Sequence, residues 1–207
     1  MKVLIISDIH GSGYYGEKIK EINERENPDK IILLGDLYYH GPRNELSQEY
    51  EPMKVANILN SLKDKLLVVK GNCDAEVDEM ISEFKFQNHI LMEINGTNYY
   101  FTHGHKYNIE NIPYEDFEVM IYGHIHQGFI QEKEGYVFAN PGSISLPKCN
   151  TEHSYIIIDG NKIILKRVDG EILQEYELKS KNWKLILKKK HIGITTNMFL
   201  FSYKIKL

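Results

Sequence analysis

The sequence predicts an α/β protein in which helices surround two packed β-sheets. The first observation behind this prediction is an alternation of strands and helices. The apolar runs Lys2–Ser7, Lys30–Asp36 and Lys65–Asn72 have the length of buried strands, and the segments 14–26 and Met53–Lys63 between them have helical spacing. Such an alternation favours parallel strands joined by right-handed crossovers.

The second observation is a change of pattern from residue 89 onward, where strands follow one another with short turns between them. The strand-like segments are "HILMEI", "NYYFTHGH", "FEVMIYGH", "FIQEKEGYVFANPGS" and "SYIIIDGNKIILKR". The dipeptides Asn95-Gly96 and Asp159-Gly160 are strong hairpin signals. The second half of the chain is therefore predicted to be richer in strands than the first.

The composition is that of a globular protein, with 42% hydrophobic and 26% charged residues in 207. The two cysteines, Cys73 and Cys149, are too few for a disulfide framework, which indicates a reducing compartment. The N-terminus lacks the long apolar region of a signal peptide, and no apolar stretch approaches the roughly 20 residues of a membrane helix. We therefore expect a soluble, cytoplasmic protein with no membrane partner.

The charge is distributed unevenly along the chain. Residues 179–207 contain eight Lys and no acidic residue, whereas residues 1–178 contain 17 basic and 29 acidic side chains. We predict one domain at 1–178 and a basic C-terminal extension at 179–207. An acidic domain attracts divalent cations and repels polyanions, so nucleic acid is not an expected partner.

The role of the extension is open on the sequence. It is explained as an added hairpin at a sheet edge, as a segment foreign to the native domain, or as a basic binding arm. Aromatic residues are enriched at interfaces, so a homo-oligomer contact is a further hypothesis. The aromatic side chains concerned are Trp183, Phe199, Phe201 and Tyr203.

Polar side chains follow five of the predicted strands at the point where each strand ends. In chain order they are Asp8 and His10, Asp36, Asn72, His103 and His105, and His124 and His126. The carboxyl ends of strands form the ligand crevice in α/β sheets. Each residue alone has an ordinary explanation as a cap, a turn or a structural histidine. Five such clusters together predict a ligand site.

The donor types predict a metal site. Two Asp, one Asn and four of these five His supply oxygen and neutral nitrogen, which suits Mn, Fe, Co or Zn better than Ca or Mg. Seven donors exceed the usual share of one ion, and a carboxylate can bridge two ions about 3.5–4 Å apart, the arrangement that displaces groups at phosphorus. In an extended segment, the spacing of His124 and His126 directs both rings to the same side.

The spaced pattern of these residues resembles that of a known superfamily. The pattern "D-x-H … GD … GN-x-D … H … GH-x-H" resembles the calcineurin-like metallophosphoesterases. The segments "GDLYYHGPRN", "KGNCDAEVD", "THGH" and "NPGSISLPK" are similar to the bacterial YfcE-like phosphodiesterases, and the resemblance runs from residue 1 to about residue 178. It implies a four-layer αββα sandwich, with two mixed β-sheets flanked by helices and a dinuclear site at one end.

The resemblance also implies a role for each donor. One metal is held by Asp8, His10 and His126, and the other by Asn72, His103 and His124. Asp36 is expected to bridge the two ions, and Asn72 to fix an otherwise flexible set of ligands.

Three further residues are candidates for contact with the substrate. Many superfamily members have His after the motif Asn, but this chain has Cys73, a weak donor that we expect to line the phosphate pocket without acting as a strong acid. His105 is a candidate substrate contact, and Arg43 offers a fork for a phosphate oxygen. The alternatives are a small buried filler for Cys73, a structural role for His105, and a surface loop arginine at position 43.

The predicted function is hydrolysis of a small phosphodiester by a hydroxide that bridges two divalent metals, with manganese as the favoured metal. Because no strong acid is evident, diesters with good leaving groups are expected to react best. A phosphomonoesterase or nucleotide pyrophosphatase with the same site is an alternative. A non-catalytic protein-binding scaffold is another, since the superfamily includes the vacuolar-sorting subunit of the retromer coat.

Overall fold

The computed structural model describes residues 1–178, and Met1–Tyr176 form one compact unit. The predicted extension at 179–207 lies outside the described residues, so its role and the domain boundary at residue 178 stay predictions. Within residues 1–178, the helices are too short or too polar to cross a membrane.

The elements alternate first and then become almost entirely strands. In chain order they are β1 (Val3–Ile6), α1 (Gly13–Glu26), β2 (Lys30–Leu33), α2 (Pro52–Ser61), a 3-10 turn (Lys63–Lys65), β3 (Leu66–Val69), α3 (Glu76–Ile81), β4 (Phe86–Gln87), β5 (Ile90–Ile94), β6 (Thr97–Thr102), β7 (Val119–Tyr122), β8 (Gly128–Lys133), β9 (Tyr136–Pro141), β10 (Ser154–Asp159), β11 (Lys162–Arg167) and β12 (Ile172–Glu177).

The strands form two mixed sheets, which confirms the predicted fold class. The seven-stranded sheet has the order β12-β11-β10-β1-β2-β3-β4, and the five-stranded sheet has the order β5-β6-β7-β9-β8. The strands β1 to β3 are parallel, as the β-α-β-α-β alternation predicted. The strand β4 extends them in parallel, and β10 joins them antiparallel to β1. In the second sheet β6, β7 and β9 are parallel, while β5 and β8 pair antiparallel at its edges.

Both predicted hairpins are present, and one has a shifted turn. Asn95 and Gly96 connect β5 to β6 with φ values of 51° and 83°, the left-handed backbone that a two-residue hairpin turn requires. In the second hairpin Asp159 pairs with Lys162, so Gly160 and residue 161 form the turn.

Three elements were not predicted from the sequence. They are α3, β4 and β12, which contain six, two and six residues. The helix α3 and the strand β4 are too short for a periodic pattern to emerge. The strand β12 is largely exposed and therefore carries no apolar signal.

The helices α1 and α2 cover one face of the seven-stranded sheet. Ile19 of α1 and Leu59 of α2 are fully buried against the sheet residues Ile6 and Leu33. Gly16 lets the two helices approach closely, because a Cβ atom at this position would lie 3.1 Å from Ile58 Cδ1. Burial of each such side chain contributes roughly 1.5–3 kcal/mol to folding.

The outer face of the five-stranded sheet is covered differently. Tyr100, Met120 and Phe138 form a buried cluster on this sheet, and Ile109 and Phe117 of the following connections pack against it. The segment 103–118 contains turns and no helix. Loop side chains therefore form this outer layer within the described part of the chain, and the helices lie with the larger sheet.

Candidate metal centre

The structure brings all seven predicted donors to one place, where the carboxyl ends of strands from both sheets meet. Asp8 and His10 follow β1, Asp36 follows β2, and Asn72 follows β3, all in the seven-stranded sheet. His103 follows β6, and His124 and His126 follow β7, in the five-stranded sheet. Each sheet thus contributes part of the donor set.

Five of the seven donors have a left-handed backbone, with φ values of 57° at Asp8, 49° at His10, 55° at Asp36, 68° at His124 and 59° at His126. This conformation costs about 1–2 kcal/mol per residue for L-amino acids. Strained backbone of this kind concentrates at functional sites, where the surrounding structure holds it.

The expectation that the segment of His124 and His126 is extended was wrong. The two left-handed residues turn the chain so sharply that each ring joins a different group of donors. Gly123 lets the start of this turn pack closely against the end of β1, because a Cβ atom there would lie 1.9 Å from Ser7 Oγ.

The first group contains Asp8, His10 and His126. The Nε2 atoms of the two histidines are 3.1 Å apart, and Asp8 Oδ1 lies 3.4 Å from the Nε2 of His126 and 3.7 Å from that of His10. The Nδ1 atom of His10 lies 2.8 Å from the Tyr39 carbonyl oxygen, and that of His126 lies 2.6 Å from the Leu146 carbonyl oxygen. A carbonyl oxygen only accepts, so each Nδ1 carries a proton, and each Nε2 of a neutral ring presents a lone pair.

The second group contains Asn72, His103 and His124. His103 donates from Nδ1 to the Leu34 carbonyl oxygen at 2.7 Å. Its Nε2 lies 3.0 Å from Asn72 Oδ1 and 3.2 Å from His124 Nδ1. Three donor atoms therefore face one another here as well.

Asp36 lies between the two groups. Its Oδ2 is 3.4 Å from His103 Nε2 and 3.8 Å from His10 Nε2, while its Oδ1 accepts a hydrogen bond from the Cys73 N–H at 2.8 Å. Asp36 thus lies near a histidine of each group.

The chemistry of the donor set fits a divalent cation. Asp8 Oδ1 is buried without a hydrogen-bond partner, although Asp8 Oδ2 accepts from Ser7 Oγ at 2.6 Å and from the His124 N–H at 3.0 Å. An unsatisfied buried carboxylate oxygen and two facing lone pairs are costly. A cation between these atoms would satisfy all of them at once.

The pKa shifts describe a site that stabilises positive charge. Burial opposes ionisation of Asp8, but the neighbouring rings of His10, His126 and His103 hold its pKa well below the usual value. For His103, burial disfavours the charged ring, yet the Asp36 hydrogen bond and the two carboxylate charges raise its pKa to about 9. Burial and the neighbouring His103 lower the pKa of His124 to about 4.

A residue that sequence reasoning missed, Asp74, holds two of the donor loops together. Its Oδ2 accepts from the N–H groups of Asp36 at 2.9 Å and Gly71 at 2.7 Å, and its Oδ1 accepts from the Leu37 N–H at 2.8 Å. Burial raises its pKa to about 6 against the effect of these donors. The sequence feature that could have indicated Asp74 is its position at the end of "GNCD", which follows a strand as the donors do.

A pocket of about 170 Å³ opens beside the donors. Arg43 and Cys73 line it together with Asp36, Asn72, His124 and His126. Burial, and then the charge of Asp36, raise the pKa of Cys73 to about 12, so the thiol keeps its proton at neutral pH. Lys148, which the sequence did not single out, lines the same pocket; its signal was the end of "NPGSISLPK".

His105 does not line this pocket. Its exposed ring lies 5.4 Å from the His103 ring and 6.1 Å from the His124 ring, between centroids, and borders a second pocket. Burial and the charge of His103 lower the pKa of His105.

A donor set of this composition, assembled at the carboxyl ends of strands from two sheets, is typical of metallophosphoesterases. Residues 1–162 match the family model of the calcineurin-like phosphoesterase superfamily domain, and the chain belongs to that superfamily. The phosphodiesterase YfcE of Escherichia coli K12 is 39% identical over 166 residues, which cover 78% of this chain and 89% of YfcE. The probable metallophosphoesterase YsnB of Bacillus subtilis is 30% identical over 166 residues, which cover 76% and 83% of the two chains.

Solved structures show the same fold. The structure of YfcE, a phosphoesterase from E. coli, has a TM-score of 0.83 and 33% identity, and the match covers 86% of this chain and all of YfcE. Vps29 of Entamoeba histolytica complexed with zinc has a TM-score of 0.57 and 21% identity, with 86% of this chain and all of Vps29 covered. The likeness to Vps29 shows a shared fold alone.

Proposed function

We propose that this protein is a metal-dependent phosphodiesterase. The observation that carries the proposal is the convergence of two donor groups on Asp36, with the buried Asp8 Oδ1 lacking any hydrogen-bond partner. The similarity to YfcE, which is named a phosphodiesterase, supports the choice of reaction.

In this proposal each donor group holds one divalent ion. Asp8, His10 and His126 hold one, and Asn72, His103 and His124 hold the other, with Asp36 shared between them. When bound, two such ions supply a hydroxide near neutral pH and neutralise charge on the phosphoryl oxygens. Manganese is the proposed metal, and iron, cobalt or zinc suit the same oxygen and nitrogen donors.

The remaining residues bind and orient the substrate. Arg43 and Lys148 place positive charge in the pocket beside the donors, where they can hold non-bridging phosphate oxygens. The Cys73 N–H donates to Asp36 Oδ1 and so joins the loops that follow β2 and β3. The Cys73 thiol is a weak acid, so diesters with good leaving groups are the preferred substrates. The pocket of about 170 Å³ suits a small phosphodiester.

The test uses metal-stripped protein to which Mn, Fe, Co, Zn or Mg is returned. We expect turnover of bis(p-nitrophenyl) phosphate that requires added metal and exceeds turnover of p-nitrophenyl phosphate. Asp36→Asn removes the shared carboxylate charge and should reduce turnover by more than about 100-fold, the upper range for loss of an outer partner. Asp64→Asn, in the exposed 3-10 turn, makes the same chemical change away from the site and should retain activity.

Other outcomes point to specific alternatives. Preference for the monoester would favour a phosphomonoesterase or, with nucleotide substrates, a pyrophosphatase that uses the same residues. Metal binding without turnover of any substrate would contradict the proposal and favour a protein-binding scaffold.

A cytoplasmic location is also a proposal, consistent with the two free cysteines.

A further inference from the structure

A second pocket of about 360 Å³ lies where the chain passes from β4 of the larger sheet to β5 of the smaller one. Its lining includes Lys70, Asn88, His89, His105, Lys106 and Tyr107. No Asp or Glu side chain is among the described residues that line it. Hydrogen-bond donors and cations therefore dominate its walls.

The second pocket adjoins the candidate metal centre. Two of its lining residues, Gly71 and Thr102, directly precede the donors Asn72 and His103 in the chain. The ring of His105 lies between the pocket and the donors, 5.4 Å from the ring of His103 between centroids. The second pocket therefore borders the site at which the substrate phosphate is proposed to bind.

The charges in the second pocket are only partly compensated. Lys70 donates to Glu79 Oε1 at 2.6 Å, so its charge has a partner on α3. Among residues 1–178, no carboxylate lies within ion-pair distance of Lys106. His89 is fixed by stacking on the buried Tyr100, with ring centroids 5.1 Å apart and 16° between the planes. The pocket thus combines one uncompensated cation with a positioned imidazole.

We propose that the second pocket binds one organic arm of the phosphodiester and selects an arm that carries a further phosphate group. The inference deepens the proposed function and rests on it. Lys106 supplies the charge for the distant phosphate, and the side chains of Asn88 and His89 supply hydrogen bonds to its oxygens. Charge-assisted hydrogen bonds of this kind are the stronger ones, particularly where no carboxylate competes for the donors.

The test compares two esters that differ in one group, 2-phosphoethyl p-nitrophenyl phosphate and 2-hydroxyethyl p-nitrophenyl phosphate, with manganese-loaded protein. The leaving group is the same in both, so the ratio of their kcat/KM values reports recognition of the arm. We expect the phosphoethyl ester to be preferred by about tenfold or more. The preference should fall as salt is added, because salt screens exposed charges.

Lysine variants show which pocket binds the phosphate-bearing arm. Lys106→Ala should bring the ratio close to one, whereas Lys20→Ala, at a partly exposed lysine of α1 that pairs with Glu17, should leave the ratio as in the wild type. If the ratio instead collapses in Lys148→Ala and survives in Lys106→Ala, the charged arm lies in the pocket beside Arg43 and the inference is overturned. A wild-type ratio of one overturns it as well.

The same data separate this inference from the proposed function. Hydrolysis of both esters at equal rates removes only the claim about the second pocket. Absence of hydrolysis with every metal removes the phosphodiesterase proposal, and the claim about the arm is then lost with it.

Discussion

At the residue scale, the site depends on donor side chains whose other polar atom already has a hydrogen-bond partner. Each ring nitrogen of His10, His103 and His126 that faces a backbone carbonyl fixes the orientation of the opposite nitrogen. In Asp8, the hydrogen bonds to Oδ2 fix the orientation of Oδ1, which has no hydrogen-bond partner. The donors are therefore preorganised by their neighbours, which is how outer partners increase metal affinity.

Asp74 provides a direct test of this preorganisation. In Asp74→Asn, one of the two acceptor oxygens becomes an NH₂ group that faces backbone N–H donors, so at least one hydrogen bond is lost. We expect manganese affinity to fall by about 10–100-fold, measured by calorimetry on folded protein. We also expect the free energy of unfolding to fall by about 1–3 kcal/mol.

Asp64→Asn is the matched control for Asp74→Asn and should change neither quantity. Recovery of activity at high manganese would support a positioning role for Asp74. Unchanged manganese affinity in Asp74→Asn would show that its three hydrogen bonds do not organise the donors.

Substitution of Cys73 tests the proposal that the site has no strong acid to protonate the leaving group. The thiol lines the pocket beside Asp36 and keeps its proton, whereas an imidazole at this position would be a far stronger acid. Cys73→His should accelerate hydrolysis of a diester with an alkyl leaving group more than hydrolysis of bis(p-nitrophenyl) phosphate. General acid catalysis is worth about 10²–10⁴-fold, so a gain near the lower end is expected.

The control for Cys73→His is Cys149→His, at an exposed cysteine. Equal effects of Cys73→His on both diesters would contradict the proposal that an acid at residue 73 protonates the leaving group.

At the scale of single elements, the structure joins the end of α1 to the sheet through one buried carboxylate. Glu26, the last residue of α1, accepts hydrogen bonds from Tyr155 of β10 and Lys166 of β11 and from Lys2. Asn27 ends the helix with a φ of 43°, and its N–H donates to the Asn23 carbonyl oxygen. The helix is thus fixed to the strands by its polar end as well as by its apolar face.

Stability should depend on the ionisation of Glu26. Burial opposes its charge, but the hydrogen bonds from Lys166, Tyr155 and Lys2 outweigh burial and lower its pKa from 4.5 to about 2. A lowered folded-state pKa gives stability that is present above pH 4.5 and is lost as the pH falls toward 2. Glu26→Gln should therefore cost up to about 3 kcal/mol of unfolding free energy at pH 7.

The measurement is urea unfolding of the wild type and Glu26→Gln between pH 7 and pH 3. The difference between the two proteins should shrink as the pH falls below 4.5. Glu24→Gln, at an exposed position of the same helix, is the matched control and should show little difference at any pH. A difference for Glu26→Gln that stays constant with pH would contradict the ionic explanation.

At the scale of the whole molecule, the candidate metal centre joins the two sheets. Asp8, Asp36 and Asn72 come from the larger sheet, and His103 and His124 come from the smaller one. Metals bound by both sets would cross-link the sheets in the folded state and would have no equivalent site in the unfolded chain. Binding of this kind stabilises the fold by mass action.

Manganese should therefore raise the melting temperature. At a concentration of about 100 times Kd the stabilisation is about 2.7 kcal/mol, or about 5–10 °C for a chain of this size. Asp8→Asn should remove most of this increase. In metal-free protein the same variant should be less stable than the wild type by a smaller amount, because the neighbouring histidines hold the pKa of Asp8 well below its usual value and the charged form therefore favours the folded state.

The loss of stability in Asp8→Asn should therefore be larger with manganese than with a chelator, and this difference, measured by calorimetry, distinguishes a metal ligand from a merely structural residue. Asp64→Asn should follow the wild type in both conditions. Asp8→Asn that is equally destabilised with and without metal would contradict the assignment.

The sequence by itself determined the strand and helix alternation, the superfamily and the set of residues that meet at the candidate site. These follow from local patterns, since apolar runs define buried strands and polar residues at their ends face a common edge. His103 illustrates the limit, because its position in "THGH" predicts a donor but not the Leu34 carbonyl that orients its ring.

Only the tertiary structure decided with which atoms the donors of each group face one another. The left-handed backbone at His124 and His126 and the three hydrogen bonds of Asp74 depend on contacts between residues far apart in the chain. The pocket around Lys106 likewise exists only where the two sheets adjoin. Periodicity describes one segment at a time, whereas these features arise when several segments meet, which is the physical reason that the sequence could not supply them.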